Sequence, residues 1–200
     1  MVRQVERSAA TTNAILSAAR TLFSERGYDD VTIDQIAERA GCKKGAIYHH
    51  FDSKRSIFDR VLDGVQANLA VDLAKPVERA FAARSPHGMA QCIQMYLQGA
   101  NSDDVRQILL IDGPVVLGWK RWREIDERHF AGIVLAGISI LMEGVRPSST
   151  IELATRLTLG AIMEAALACS TAADPVAAAA KYCRPFELML NGFVLAQRAR

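Results

Sequence analysis

The chain has 200 residues and a formal net charge of +2, with half of its residues hydrophobic and only 6% aromatic. It is long enough to bury a substantial core and too apolar for a disordered segment. The charge is modest, which disfavours a nonspecific nucleic-acid coat, and it is unevenly placed: residues 1–60 carry ten Lys/Arg against eight Asp/Glu, whereas residues 61–200 carry fourteen of each. Lys43, Lys44, Lys54 and Arg55 make a focused basic cluster, as a specific duplex binder uses. In chain order, Ile15, Ala18, Ala19, Leu22 and Phe23 recur at helical spacing, predicting a helix from Thr11–Thr12 to Arg26 that Gly27 ends. Thr32 with Gln35 predicts a capping box for a second helix, whose inward face is Ile33, Ile36, Ala37 and Ala40. Gly41 permits a sharp turn, a third helix follows from Lys43 to His50, and Ser53 caps a fourth that Pro76 is expected to end.

Further on, Ser85-Pro86 reads as a cap followed by proline at the first helical position, and Ser102-Asp103-Asp104 as another helix start. Gly113-Pro114 is expected to interrupt an apolar run. Ser149 with Glu152 predicts a second capping box, for a helix reaching Ser170. Asp174-Pro175 begins the last helical stretch, which Pro185 should kink or split. Phe130–Met142 is the longest apolar segment, too short to span a bilayer. The opening MVRQVERSAATT has no secretion-signal run, and Cys42, Cys92, Cys169 and Cys183 are scattered without metal-ligand spacing. A cytoplasmic protein with free thiols, no cofactor and no membrane association is expected. Without strand-like alternation, the fold class is all-α.

Residues 32–54, TIDQIAERAGCKKGAIYHHFDSK, are the informative stretch. At 100° per residue, Ile47 and Phe51 share the inward side of the third helix, His49 points away from it, and Tyr48 and His50 flank His49. Gly45 and Ala46 are small enough for close approach to a groove floor. The helix start, reinforced by Lys43 and Lys44, favours phosphate. Lys54 can hold the backbone on the other side, and Thr32 either donates its hydroxyl to phosphate or serves only as a cap. Tyr48, His49 and the small residues would read base edges and thymine methyls. A metal site at His49 and His50 is disfavoured, because adjacent helical residues diverge too far to chelate.

Asn13–Phe58 resembles the DNA-binding domain of the TetR family of bacterial transcriptional regulators, through AARTLFSERGYDDVTIDQIAERAGCKKGAIYHHFDSK and its pattern AG-xxx-G-x-x-Y-x-x-F-x-SK. The resemblance implies a three-helix helix-turn-helix domain over residues 1–58 and a larger helical effector-binding and dimerisation domain over 59–200. It implies a homodimer on a palindromic operator, released by a small, largely apolar effector. Carried over by position, Thr32, Lys44, Tyr48, His49, His50 and Lys54 would contact DNA. Lys43 stands where the family usually has Ser or Thr, so the capping hydroxyl is absent and a phosphate contact is expected instead.

The segment 109–130, LLIDGPVVLGWKRWREIDERHF, resembles part of the C-terminal domain of some TetR-like regulators. Asp112, Trp119 and Trp122 either line an effector pocket or serve as turn and packing residues. Met95, Tyr96, Phe130, Met163 and Glu164 are further candidates, each with a plain core or solvent alternative. Leu153, Leu157, Gly160, Ala161, Ala165 and Ala168, with Phe186, Met189, Leu190 and Phe193, form the expected dimer stripe. A regulator without a small-molecule effector is the alternative. An enzyme is not expected, because no Glu-x-x-His pair, G-x-S-x-G, P-loop or H-E-x-x-H is present.

Overall fold

The computed structural model describes residues 2–144 and 147–198, with side chains described from residue 7 to residue 195. The described residues form helices joined by short turns, without a strand, as the all-α reading expects. They divide into two compact units: the residues up to Val65 with Asp103–Trp122, and Gln66–Ser102 with the residues from Arg123 onward.

The first unit contains α1 (Val2–Arg26), α2 (Ile33–Arg39), α3 (Lys44–His50) and the first turns of α4 (Lys54–Ala82). α1 begins before the expected Thr11–Thr12 start. Both hydroxyls donate one turn back, to Arg7 O at 2.9 Å and Ser8 O at 3.0 Å, so they are satisfied inside a helix rather than capping one. Gly27, at φ 78°, ends α1 as expected. At the start of α4, Ser53 and Ser56 exchange hydroxyl-to-backbone bonds of 3.1 Å, a reciprocal cap. Pro76 lies inside α4 rather than at its end. Proline removes one N–H, and buried Leu69, Leu73 and Ala80 hold the helix by packing across that gap.

The rest of this unit is α6 (Asp103–Arg106), a π-helical segment (Gln107–Asp112), α7 (Gly113–Leu117) and the first residues of α8 (Trp119–Leu141). Gly113-Pro114 does not interrupt the chain: Gly113 is helical, with φ −50° and ψ −58°, and Pro114 sits in the first turn of α7, where its missing N–H is no loss. Gly113 is needed for space, since an added Cβ would lie 2.9 Å from Leu62 Cδ1 and 3.0 Å from Ile108 O. Trp122 Nε1 donates to Leu109 O at 2.7 Å, fixing the buried indole under the π-helical segment.

In the second unit, α5 (Pro86–Ala100) packs against α9 (Ser148–Ser170), α10 (Pro175–Ala180) and α11 (Cys183–Arg198). Ser85 and Asp174 cap α5 and α10 as expected, accepting from Gly88 N at 3.0 Å and Ala177 N at 2.9 Å. The box expected at Ser149 does not form. α9 starts at Ser148 behind Pro147, without a side-chain cap, so Ser149 is already helical. The last stretch breaks at Lys181–Tyr182, and Pro185 falls in the first turn of α11, where it is tolerated. Buried Asn101 donates to Leu97 O at 2.9 Å and Ala166 O at 3.3 Å, tying the end of α5 to α9.

Candidate functional site

α2 and α3 are set by their caps. Thr32 Oγ1 accepts from Gln35 N at 3.3 Å, and Gln35 Oε1 accepts from Thr32 N at 2.8 Å and from Thr32 Oγ1 at 3.2 Å. The expected capping box is therefore complete. α2 ends in a Schellman arrangement: Cys42 N donates to Ala37 O at 3.0 Å, and Gly41 N to Glu38 O at 3.1 Å, with Gly41 at φ 64°. That turn aims α3. Lys43 occupies its N-cap position without a side-chain cap bond, as the missing Ser/Thr requires.

The two sides of α3 separate cleanly. Ile47 and Phe51 are 0% and 6% exposed, whereas Tyr48 is 52% exposed and His49, Gly45, Lys43 and Lys44 are all exposed. Ala46 is half-buried. No heavy atom stands within 4 Å of where a Cβ at Gly45 would be, so that surface is open. Lys44 Nζ bonds Asp34 at 2.9 Å across the turn, and this bond holds its pKa above the usual lysine value. Both groups are solvated, so the pair is weak and can yield to a phosphate. His50 is half-buried, with Nδ1 3.3 Å from Thr12 Oγ1. Because the Thr12 proton goes to Ser8 O, a bond here requires His50 to donate from Nδ1. His50 therefore faces α1 more than His49 does.

Lys54, expected at the phosphate backbone, has partners within the chain. Its ammonium donates to Tyr28 O and Val31 O, each at 2.8 Å, and lies 4.1 Å from the Tyr28 ring centroid. The turn between α1 and α2 is folded around this cation. Tyr28 also packs on Phe23 and Phe58, and burial is the main cause raising its phenol pKa. Arg55 likewise has partners within the chain, donating to Val116 O and Leu117 O at 3.0 Å, the open carbonyls of the last turn of α7.

The residues considered for an effector site do not all converge. Asp112 belongs to the first unit, where it accepts from Tyr28 N at 2.8 Å and Gln107 Nε2 at 3.0 Å. Trp122 is buried in that unit and Trp119 is exposed, and none of these three lines either apolar cavity of the second unit. Met95 and Glu164 are exposed and Met163 is buried core; none lines the two apolar cavities of the second unit. Tyr96 and Phe130 do, with ring centroids 4.8 Å apart. The cavities measure about 70 and 60 Å³ and share Val77, Cys92, Ile93, Ile133 and Val134 as walls. Asp126, missed in the sequence, is the acidic residue lining the second. Its signal was its spacing: Trp122, Asp126 and Phe130 recur every four residues on α8, so the carboxylate follows an apolar stripe. Among the described residues no group of three His, Cys, Asp or Glu is placed to hold a metal ion.

A profile described as "Bacterial regulatory proteins, tetR family" matches residues 15–61, and one described as "Tetracyclin repressor-like, C-terminal domain" matches residues 86–193, more than half of the chain. The chain belongs to the TetR family. The chain is 52% identical over 46 residues to the biofilm operon negative transcriptional regulator IcaR of Staphylococcus aureus, covering 23% of this chain and 25% of that protein. It is 50% identical over 50 residues to the transcriptional repressor KstR2 of Rhodococcus jostii, covering 25% and 24%. The match thus spans about a quarter of each curated relative. Among solved structures, a TetR-family regulator from Pectobacterium atrosepticum is 26% identical with a TM-score of 0.74, over 94% of this chain and 96% of that one. FadR of Bacillus subtilis in complex with stearoyl-CoA is 18% identical with a TM-score of 0.64, over 90% and 97%, and shares the fold.

Proposed function

We propose that this TetR-family protein is a transcriptional repressor whose α3 enters the major groove of an operator and whose second unit responds to a small ligand. The observation that carries the reading is the division of α3, with Ile47 and Phe51 buried while Tyr48 and His49 face solvent beside Lys43 and Lys44. Tyr48, His49, Gly45 and Ala46 meet base edges, and Lys43, Lys44 and the helix start meet phosphate. Thr32 lends its hydroxyl to a phosphate while keeping its cap. His50 contacts the backbone at the edge of the groove. Lys54 shapes the surface rather than touching DNA.

One short helix buries too little surface for tight, selective binding, which argues for two copies on a pseudo-palindrome. Of the expected dimer stripe, Ala165, Phe186 and Leu190 are buried within the chain, whereas Leu153, Leu157 and Gly160 on α9, with Leu188, Gly192 and Leu195 on α11, repeat at helical spacing. Their leucines are exposed and their glycines open to contact, supporting a homodimer through these helices. IcaR and KstR2 are named as a negative regulator and a repressor, which favours repression over activation. The apolar cavities supply room for an effector. An effector that prefers the low-affinity state would release DNA by a coupling free energy. A DNA-binding role supports a cytoplasmic location, and no catalytic role is assigned. Anisotropy titration of duplexes flanking its own gene, against scrambled duplexes at several salt concentrations, tests the reading. Selective, salt-sensitive binding is expected; equal binding to both duplexes contradicts it.

A further inference from the structure

Asp126 on α8 is a buried carboxylate with half of its acceptor capacity unused. It is 5% exposed and lines one cavity beside Tyr96 and Phe130. Two donors reach it, and both bind the same oxygen: Tyr96 Oη at 2.9 Å and Gln66 Nε2 at 3.0 Å from Oδ1. No described side chain donates to Oδ2, although an ionised carboxylate has about four acceptor positions. Gln66, 1% exposed, adds an Oε1 that is buried without a partner. The nearby charges act in opposite directions. Arg123 favours the carboxylate, but it is bonded to Glu127 at 3.1 Å, and the Glu127 charge opposes it. Burial dominates and holds the Asp126 carboxyl above the usual aspartate range.

A carboxylate kept in an apolar wall with acceptors unmet needs a donor and, when ionised, a cation. We propose that Asp126 is the anchor for an amine-bearing, otherwise apolar ligand. The ammonium donates to Asp126 Oδ2, and the hydrocarbon body occupies the two compartments through their shared wall of Val77, Cys92, Ile93, Ile133 and Val134. Tyr96 and Gln66 are positioning residues that fix Oδ1 so that Oδ2 faces the ligand. An apolar cavity of about 150 Å³ admits benzene; compartments of about 70 and 60 Å³ approach that size only together, which limits the ligand to one small ring and leaves no room for a long acyl chain. A carboxylate ligand would bring a like charge beside Asp126 in surroundings that screen it poorly, and is excluded. This assignment rests on the reading of the cavities as the effector site.

The test is calorimetric titration of the full chain with four probes of matched size: benzylamine, benzyl alcohol, toluene and benzoate. Benzylamine should bind most tightly, about tenfold or more above benzyl alcohol, from one charge-assisted bond. Benzoate should not bind. Asp126→Asn should lose about tenfold or more for benzylamine and leave toluene unchanged. Benzoate binding as well as benzylamine, or benzylamine affinity unaltered in Asp126→Asn, overturns the anchor. Toluene binding with no preference for the amine removes the anchor and leaves the cavity reading standing; no binding of any probe removes both. Should Asp126→Asn fail to fold, the order of the four probes on the wild-type chain decides alone.

Discussion

Lys54→Met keeps the aliphatic stem and deletes the ammonium, which makes it the sharpest separation of a positioning role from a DNA contact. The ammonium makes two bonds of 2.8 Å, to Tyr28 O and Val31 O, and sits over the Tyr28 ring. A hydrogen bond to a charged group contributes about 1.5–3 kcal/mol and an exposed cation–π contact about 0.5–1 kcal/mol. Lys54 is half-buried, so the low end of each range applies, and the substitution should destabilise the first unit by about 2–4 kcal/mol. For a chain of this size that lowers Tm by roughly 5–15 °C. The salt dependence of duplex binding should keep its slope, because no phosphate contact is lost. Thermal melting followed by circular dichroism and anisotropy titration across salt concentrations give the two readouts. An unchanged Tm with a slope reduced by about one unit would refute the reasoning and return Lys54 to the phosphate backbone.

Tyr48→Ala should leave Tm within about 1 °C, since the ring is half exposed, and weaken binding to the preferred duplex by about 1–3 kcal/mol with little change on scrambled DNA. Gly113→Ala should destabilise by about 1–3 kcal/mol in urea titration: Leu62 Cδ1 can shift, but Ile108 O is backbone at 3.0 Å. Asp126→Asn should raise Tm near pH 7, because burial lifts the folded-state pKa above the unfolded one. The native state then binds more protons, so the penalty from Asp126 is present at neutral pH and fades as pH falls through the raised pKa. The Tm difference between wild type and Asp126→Asn should therefore shrink toward about pH 4, and a difference that grows in acid contradicts the sign.

Most of the helix-turn-helix was legible because its rules are local. The 3.6-residue period placed Ile36, Ile47 and Phe51 in the core, and Thr32 with Gln35 and Gly41 marked the helix ends. The misreadings have local causes too. Thr11 and Thr12 look like caps but bond back along α1, and Pro76 looks like a stop but sits where packing carries α4 through. Lys54 was expected at phosphate from its charge and position, and its two bonds to the turn are visible only in the folded chain. The cavity was beyond local rules, since its walls come from α4, α5, α8 and α9, far apart in the chain. Asp126 was hidden in the charged run WKRWREIDERHF, where a carboxylate looks like a solvated face.

The central claim is that α3 lies in the major groove, and methylation protection reads that groove directly. Dimethyl sulfate attacks guanine N7 on the major-groove edge and adenine N3 in the minor groove. Bound to a duplex from the flank of its own gene, the protein should protect two clusters of guanines about one helical turn apart, or somewhat more, and Tyr48→Ala should weaken protection of both at the same protein concentration. Protection confined to adenine N3, or guanine protection that survives Tyr48→Ala unchanged, would contradict the account.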